Sequence, residues 1–224
     1  MKGMRVVIAG GHGKIALRLE RLLSGDGDQP VALIRNPDHV ADVEAAGAEA
    51  VVLDLEKASV DEVAAVVRGA DAVVFAAGAG PGSGAARKDT VDRGAAALLA
   101  DAAEAAGVDR YLMVSAIGVE KEPPADTDPV YAAYLRAKKA ADDDLRSREL
   151  AWTIIRPGAL TDGPGTGRVA LDVEVERGSI SRDDVAEVLL AALRRPFTAG
   201  LALEVVEGTV PIVPALTDAA GDRA

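Results

Sequence analysis

The chain has 224 residues, 49% of them hydrophobic, and a formal net charge of −11, which allows a sizeable core in one α/β domain and leaves no electrostatic footprint for nucleic acid or an anionic membrane. The absence of cysteine excludes disulfides and thiolate chemistry. With no charged-then-apolar leader and no uninterrupted apolar stretch of about 18 residues, the expectation is a cytoplasmic protein that meets no membrane and acts on a small molecule.

Short β-branched runs alternate with alanine-rich helical segments, and no internal repeat stands out. The expected strands are Arg5 to Ala9, Pro30 to Ile34, Ala50 to Leu53, Ala72 to Ala77, Tyr111 to Ser115, Trp152 to Arg156 and Leu201 to Val206. That alternation predicts a doubly wound α/β domain over residues 1–214, with a mostly parallel sheet of about seven strands and helices on both faces. Helix starts are marked by Ser59-x-x-Glu62 and Ser181-x-x-Asp184, and Gly107 reads as the stop of a helix over Ala95 to Ala106. Two loops, Gly78 to Gly84 and the proline-bearing Gly118 to Pro129, fall at the carboxyl edge of the sheet, where such folds bind ligands. The polar, alanine-rich tail, residues 215–224, is expected to fray.

The first strand runs into Gly10-Gly11-His12-Gly13-Lys14-Ile15-Ala16 just where a helical pattern begins. A strand that turns sharply at Gly10, lets its backbone close on an anion at Gly13 and packs tightly at Ala16 is built to hold a dinucleotide pyrophosphate over a helix N-terminus. The same glycines also suit a plain tight turn after a buried strand. About 20 residues on, Arg35 stands where an acidic residue would accept bonds from an NAD ribose, and its planar guanidinium suits a 2′-phosphate, which favours NADP. A solvated arginine at a strand end is the alternative. Lys14 lies where it can assist the same phosphate, and Asp54 with Leu55 after the third strand, and Ala76, Ala77 and Gly78 after the fourth, are further cofactor-binding candidates at that edge.

Downstream, Tyr134 and Lys138 stand at i, i+4, on one face of a helix. A nearby ammonium would favour the phenolate and tune the tyrosine toward proton transfer. Two of the three tyrosines, Tyr131 and Tyr134, lie in this segment, and a buried amphipathic stripe would also explain them. Ser115 ends the fifth strand, where its hydroxyl can bond a substrate carbonyl, or simply satisfy a turn. Arg156-Pro157-Gly158 makes a rigid exit from the sixth strand, with Pro157 and Gly158 as cofactor contacts and the stretch Ala159 to Gly167 as a flap over the cofactor and substrate.

His12 and His39 lack metal-ligand spacing, no Gly-x-Ser-x-Gly elbow surrounds Ser83, and Gly13-Lys14 is followed by Ile15 rather than Ser or Thr, so no metal site, elbow hydrolase or P-loop is expected. The run Asp142-Asp143-Asp144 reads as a solvated helix face.

Taken together, Gly10-x-x-Gly13-x-x-Ala16, Ser115, Tyr134-x-x-x-Lys138, Arg156-Pro157-Gly158 and Ser181 to Ala186 resemble the atypical short-chain dehydrogenase/reductases, particularly their small NAD(P)-binding, NmrA-like bacterial members, over nearly the whole chain. The resemblance implies a Rossmann fold, a nicotinamide cofactor and a Ser-Tyr-Lys site. In that site Ser115 polarises a carbonyl, Tyr134 supplies the proton, and Lys138 holds the ribose and tunes the tyrosine. Ala16 replaces a frequent glycine. Asn36 is the sole asparagine, so the asparagine of the better-known active-site tetrad is absent. Some relatives reduce flavins or biliverdin, and others bind NADP as redox sensors. The leading expectation is hydride transfer between NADPH and a small carbonyl, quinone or flavin-like acceptor, by a monomer or homodimer. The alternatives are a non-catalytic NADP-binding regulator acting through a protein partner and a scaffold that binds no nucleotide.

Overall fold

The structure, a computed structural model, describes residues 3–78, 80 and 88–221. Eleven strands are present among them: β1 (Arg5–Ala9), β2 (Gln29–Ile34), β3 (Glu49–Val52), β4 (Ala72–Phe75), β5 (Arg110–Val114), β6 (Ala151–Pro157), β7 (Ala159–Thr161), β8 (Arg168–Asp172), β9 (Ser179–Ser181), β10 (Leu201–Glu207) and β11 (Val210–Pro211). The α-helices are α1 (Lys14–Gly25), α2 (Val40–Ala45), α3 (Val60–Val67), α4 (Ala95–Ala106), α5 (Pro129–Arg146), α6 (Arg182–Leu193) and α7 (Ile212–Gly221). A π-helical turn, Lys88–Gly94, leads into α4.

Nine strands form one sheet in the order β11-β8-β10-β6-β5-β4-β1-β2-β3. The seven from β3 to β10 are mutually parallel, whereas β8 and β11 add an antiparallel margin. The chain order reverses direction at β1 and β4, and this switch point opens the crevice at the carboxyl ends. Parallel strands covered on both faces need apolar residues on each side, and β1 shows why this sequence complies. Val6 and Ile8 pack into a cluster with α1, α6 and α7, whereas Val7 and Ala9 face α3, α4 and α5. Each fully buried valine or isoleucine contributes about 1.5–3 kcal/mol relative to exposure.

The helix signals hold. Ser59 and Glu62 form a reciprocal capping box, the Ser181 hydroxyl accepts from the Asp184 N–H, and Gly107 ends α4 in the left-handed region at φ 70°.

Three features depart from the sequence expectation. The sheet has nine strands rather than about seven, because β8 and β11 join its margin, and β7 and β9 form a separate two-stranded sheet. Along Arg168–Asp172 burial alternates, with Val169 and Leu171 inward and Arg168 and Asp172 exposed, the mark of an antiparallel margin covered on one face. The chain end also differs. Residues 212–221 form a helix that buries Ile212, Ala215, Leu216 and Ala219 at helical spacing, and Pro214 lies in its first turn, where a missing N–H costs nothing. Of the Gly78–Gly84 loop, only Gly78 and Gly80 are described; the rest, Ser83 included, and the last three residues of the tail lie outside the described residues. Among the described residues, no helix is long and apolar enough to cross a membrane.

On the buried face of α1, Glu20 is fully enclosed, and neither carboxylate oxygen has a hydrogen-bond partner. Burial pushes its pKa to about 8, with the Arg21 charge pulling the other way. The folded state therefore favours the protonated acid. This stability is fully present below the unfolded value of 4.5 and declines as pH rises toward 8. The loss is on the order of 5 kcal/mol across that window. Glu20→Gln is expected to flatten the fall in the urea midpoint between pH 5 and pH 8; parallel profiles for variant and wild type would contradict this.

Candidate functional site

At the end of β1 the backbone turns with Gly10 at φ +78°, a conformation that side chains disfavour. A Cβ there would lie 2.5 Å from the Ala77 Cα, and one on Gly11 would lie 2.4 Å from the Ala32 Cβ. The glycine loop is thus pressed between the chains leaving β2 and β4. The Gly13 N–H donates to the Gly10 carbonyl at 2.8 Å, and no side chain caps α1. The first-turn amides of Lys14, Ile15 and Ala16 are consequently open to an anion, and the helix dipole adds to their attraction. This uncapped terminus, with no Cβ above the loop, fits a dinucleotide pyrophosphate.

The loop opens onto a cleft of about 580 Å³. Its walls contain Gly10, His12, Gly13, Lys14, Arg35, Asp54, Leu55, Ala76, Ala77 and Gly78, all of them candidates from the sequence. Gly11 and the Ile15 side chain lie outside the cleft lining: the Gly11 N–H donates to the Leu33 carbonyl, and the Ile15 side chain enters the core while its amide stays at the open helix terminus. Pro157 and Gly158 also stand apart from the cleft lining. A Cβ on Gly158 would meet the Gly178 carbonyl at 2.3 Å, and the Pro157 carbonyl accepts from the Ile117 N–H, tying down the chain after Ser115.

Several polar groups at the cleft already have partners. Arg35 pairs with Glu56 at 3.1 Å, and Glu56 in turn accepts from the Thr90 hydroxyl at 2.9 Å. His12 pairs with Asp42 at 2.8 Å and stacks on His39, with ring centroids 3.5 Å apart. Lys14 reaches Asp162, which also holds Arg182. Residues 159–161, expected as part of a flap, are instead strand β7, paired with β9. Asp54 begins a turn, its carboxylate accepting from the Glu56 N–H.

Beyond Ala77 lies the second cluster. Asp128 caps α5 by accepting from the Tyr131 N–H, and Pro129 occupies the first turn, so helical spacing is set from the start. On that helix Tyr134, Lys138 and Asp142 form one stripe at four-residue intervals. Lys138 is buried; its ammonium donates to the Val114 carbonyl at 3.0 Å and the Ala77 carbonyl at 3.5 Å, and pairs with Asp92 at 3.3 Å. It lies over the Tyr134 ring, 6.0 Å from the centroid. Burial pushes the Tyr134 phenol above its ordinary range, and the Asp92 charge adds to the rise. Burial thus opposes the expected tuning toward phenolate, and Lys138 is itself paired with Asp92 and two carbonyls.

Ser115 is buried at the end of β5, beside Asp142. Burial pushes the Asp142 carboxyl up, with Arg156 and the nearby Ser115 hydroxyl pulling the other way, although among the described residues neither Ser115 Oγ nor Asp142 Oδ1 makes a hydrogen bond of good geometry. Asp142 itself corrects the reading of a solvated acidic face. It is fully buried and pairs with Arg156 at 2.8 Å, and Arg156 is joined by Glu120. Asp143 and Asp144 do pair at the surface, with Lys139 and Arg148. Four-residue spacing from Lys138 would have placed Asp142 on the buried stripe. Nothing comparable marked Asp92, because a π-turn breaks the 3.6-residue period.

A model of an NAD(P)H-binding family matches residues 10–196. The chain belongs to this NAD(P)H-binding family. It is similar to the uncharacterized sugar epimerase YhfK of Bacillus subtilis, with 40% identity over 214 residues, 95% of this chain and 99% of that protein. Among solved structures it resembles a Bacillus halodurans protein provisionally named an NAD-dependent epimerase/dehydratase, at TM-score 0.88 and 35% identity, covering 96% of this chain and 100% of the other. It also resembles the oxidoreductase ylbE of Lactococcus lactis, at TM-score 0.85 and 30% identity, with 96% of each chain covered. The Rossmann fold and the atypical short-chain dehydrogenase/reductase affinity agree with these neighbours.

Removing Arg156 would leave Asp142 buried without its partner. Arg156→Leu is expected to lower the unfolding free energy by about 3–5 kcal/mol, measured by urea denaturation. A loss below about 1 kcal/mol would contradict a buried ion pair.

Proposed function

We propose that the protein is an NADP-dependent oxidoreductase that reduces a small carbonyl, quinone or flavin-like acceptor. The observation that carries this reading is the junction at Ala77. Its residue lines the dinucleotide-sized cleft, and its carbonyl accepts from Lys138, the lysine beside Tyr134 and one strand end from Ser115. The pyrophosphate is assigned to the open amides of α1, and the 2′-phosphate to Arg35 once Glu56 gives way. A bound reduced nicotinamide supplies hydride.

Ser115 is assigned to hold the acceptor oxygen and Tyr134 to deliver its proton, as a neutral phenol in a largely dry setting. Lys138, fixed by Val114, Ala77 and Asp92, orients this end of the cleft. The descriptions of YhfK and the Bacillus halodurans protein favour a second reading, a sugar epimerase. An epimerase must first take a proton from a hydroxyl, for which a neutral, half-buried Tyr134 is poorly prepared.

The test is NADPH consumption across a panel of carbonyl, quinone and flavin acceptors with wild type and Tyr134→Phe. Wild type should consume NADPH, and the variant should lose turnover by about a hundredfold or more while keeping its NADPH affinity. Unchanged turnover in the variant would remove Tyr134 from the mechanism. Sugar interconversion without net cofactor consumption would favour the epimerase.

A further inference from the structure

The buried Asp92 belongs to no motif found in the sequence, yet it faces the centre of the site. It comes from the π-helical turn before α4 and is fully enclosed. Its Oδ1 lies 3.3 Å from the Lys138 ammonium and 3.3 Å from where a Cβ on Gly78 would stand, at the inner end of the cleft. Lys138 donates to the carbonyls of Val114 and Ala77, and its ammonium pairs by charge with Asp92. Its contact with Tyr134 is with the ring face, 6.0 Å from the centroid, and it lies at a similar 5.7 Å from the Phe75 ring.

Resting on the oxidoreductase reading above, we infer that Asp92 is a positioning residue that neutralises Lys138 and thereby holds Tyr134 in its proton-bearing form, the acid that reduction of a carbonyl requires. Asp142 lies one turn beyond Lys138 on α5 and is taken up by Arg156 from β6, which Glu120 backs. Tyr131, one turn before, stacks on Tyr134 with ring centroids 5.9 Å apart. Asp92 and Asp142 both oppose a phenolate charge at Tyr134, in the same direction as its burial.

The favoured step balances simply. A bound reduced nicotinamide would supply the hydride to the acceptor carbon, and as the carbonyl π pair moves to oxygen, that oxygen takes the Tyr134 proton. Water then reprotonates the tyrosinate, leaving an alcohol and the oxidised cofactor. Alcohol oxidation would need Tyr134 to begin as phenolate, which the Asp92 carboxylate opposes.

The inference is tested on the cofactor-free protein by ultraviolet difference titration of tyrosinate. Subtracting the Tyr134→Phe curve isolates Tyr134, and circular dichroism marks the pH range over which each variant stays native. Wild-type Tyr134 should show no ionisation below about pH 10. Asp92→Asn should bring its transition down by about one pH unit or more, a tenfold gain in phenolate at fixed pH. Ionisation of wild-type Tyr134 below about pH 10 would overturn the inference, and that measurement decides even if Asp92→Asn does not fold. So would an Asp92→Asn transition that is absent or no lower than in wild type. If the shift appears while no acceptor is ever reduced, the oxidoreductase reading fails and the charge arrangement stands.

Discussion

The carboxyl edge of this sheet depends on a steric constraint: three strand ends converge so closely that the glycine loop has no room for a side chain. Gly10 lies against the chain after β4, and Gly11 against β2. Because the loop lies so deep, α1 begins directly beneath the cleft, uncapped, with its amides aimed at whatever fills it. The same convergence brings the carbonyls of Ala77 and Val114 within reach of one ammonium. Lys138 can thus join the ends of β4 and β5 to α5, and the cofactor cleft and the Tyr134 cluster become parts of one edge.

Buried charge is the second organising feature. Lys138–Asp92 and Arg156–Asp142 both lie in the interior, where an ion pair returns its desolvation cost only if its remaining bonds are satisfied. Backbone carbonyls accept from Lys138 and Glu120 backs Arg156, whereas Asp142 Oδ1 has no hydrogen bond of good geometry among the described residues. Hydrophobic replacements would serve stability as well or better, which makes function the stronger reason for pairs placed behind a candidate catalytic tyrosine and serine. Glu20 is a different case: its carboxyl lies on the packed face of α1, away from this edge, and acts through its protonation alone.

How much was legible in the sequence followed from how local each signal is. The seven parallel strands were readable because a strand covered on both faces must be apolar throughout, and the capping residues of α3 and α6 act within one turn. Gly10, Gly13, Arg35 and the Tyr134–Lys138 pair were readable because backbone geometry and helical spacing fix their neighbours. The margin strands escaped because they are short and pair with partners far along the chain, and α7 because Pro214 reads as a break although it lies in the helix's first turn. Partner choice was hidden in the same way. Nothing local shows that Arg35 meets Glu56, that Lys14 meets Asp162, or that Asp92 turns inward through a π-turn to take the charge of Lys138.

The account depends most on the cleft holding a phosphorylated dinucleotide. The most direct measurement is calorimetric titration of the wild type and of Arg35→Gln with NADPH and NADH. Wild type should bind NADPH at least about tenfold more tightly than NADH, since a charge-assisted pair to phosphate contributes roughly 1.5–3 kcal/mol, and the difference should collapse in Arg35→Gln. No binding of either nucleotide to the wild type would contradict the account at its centre.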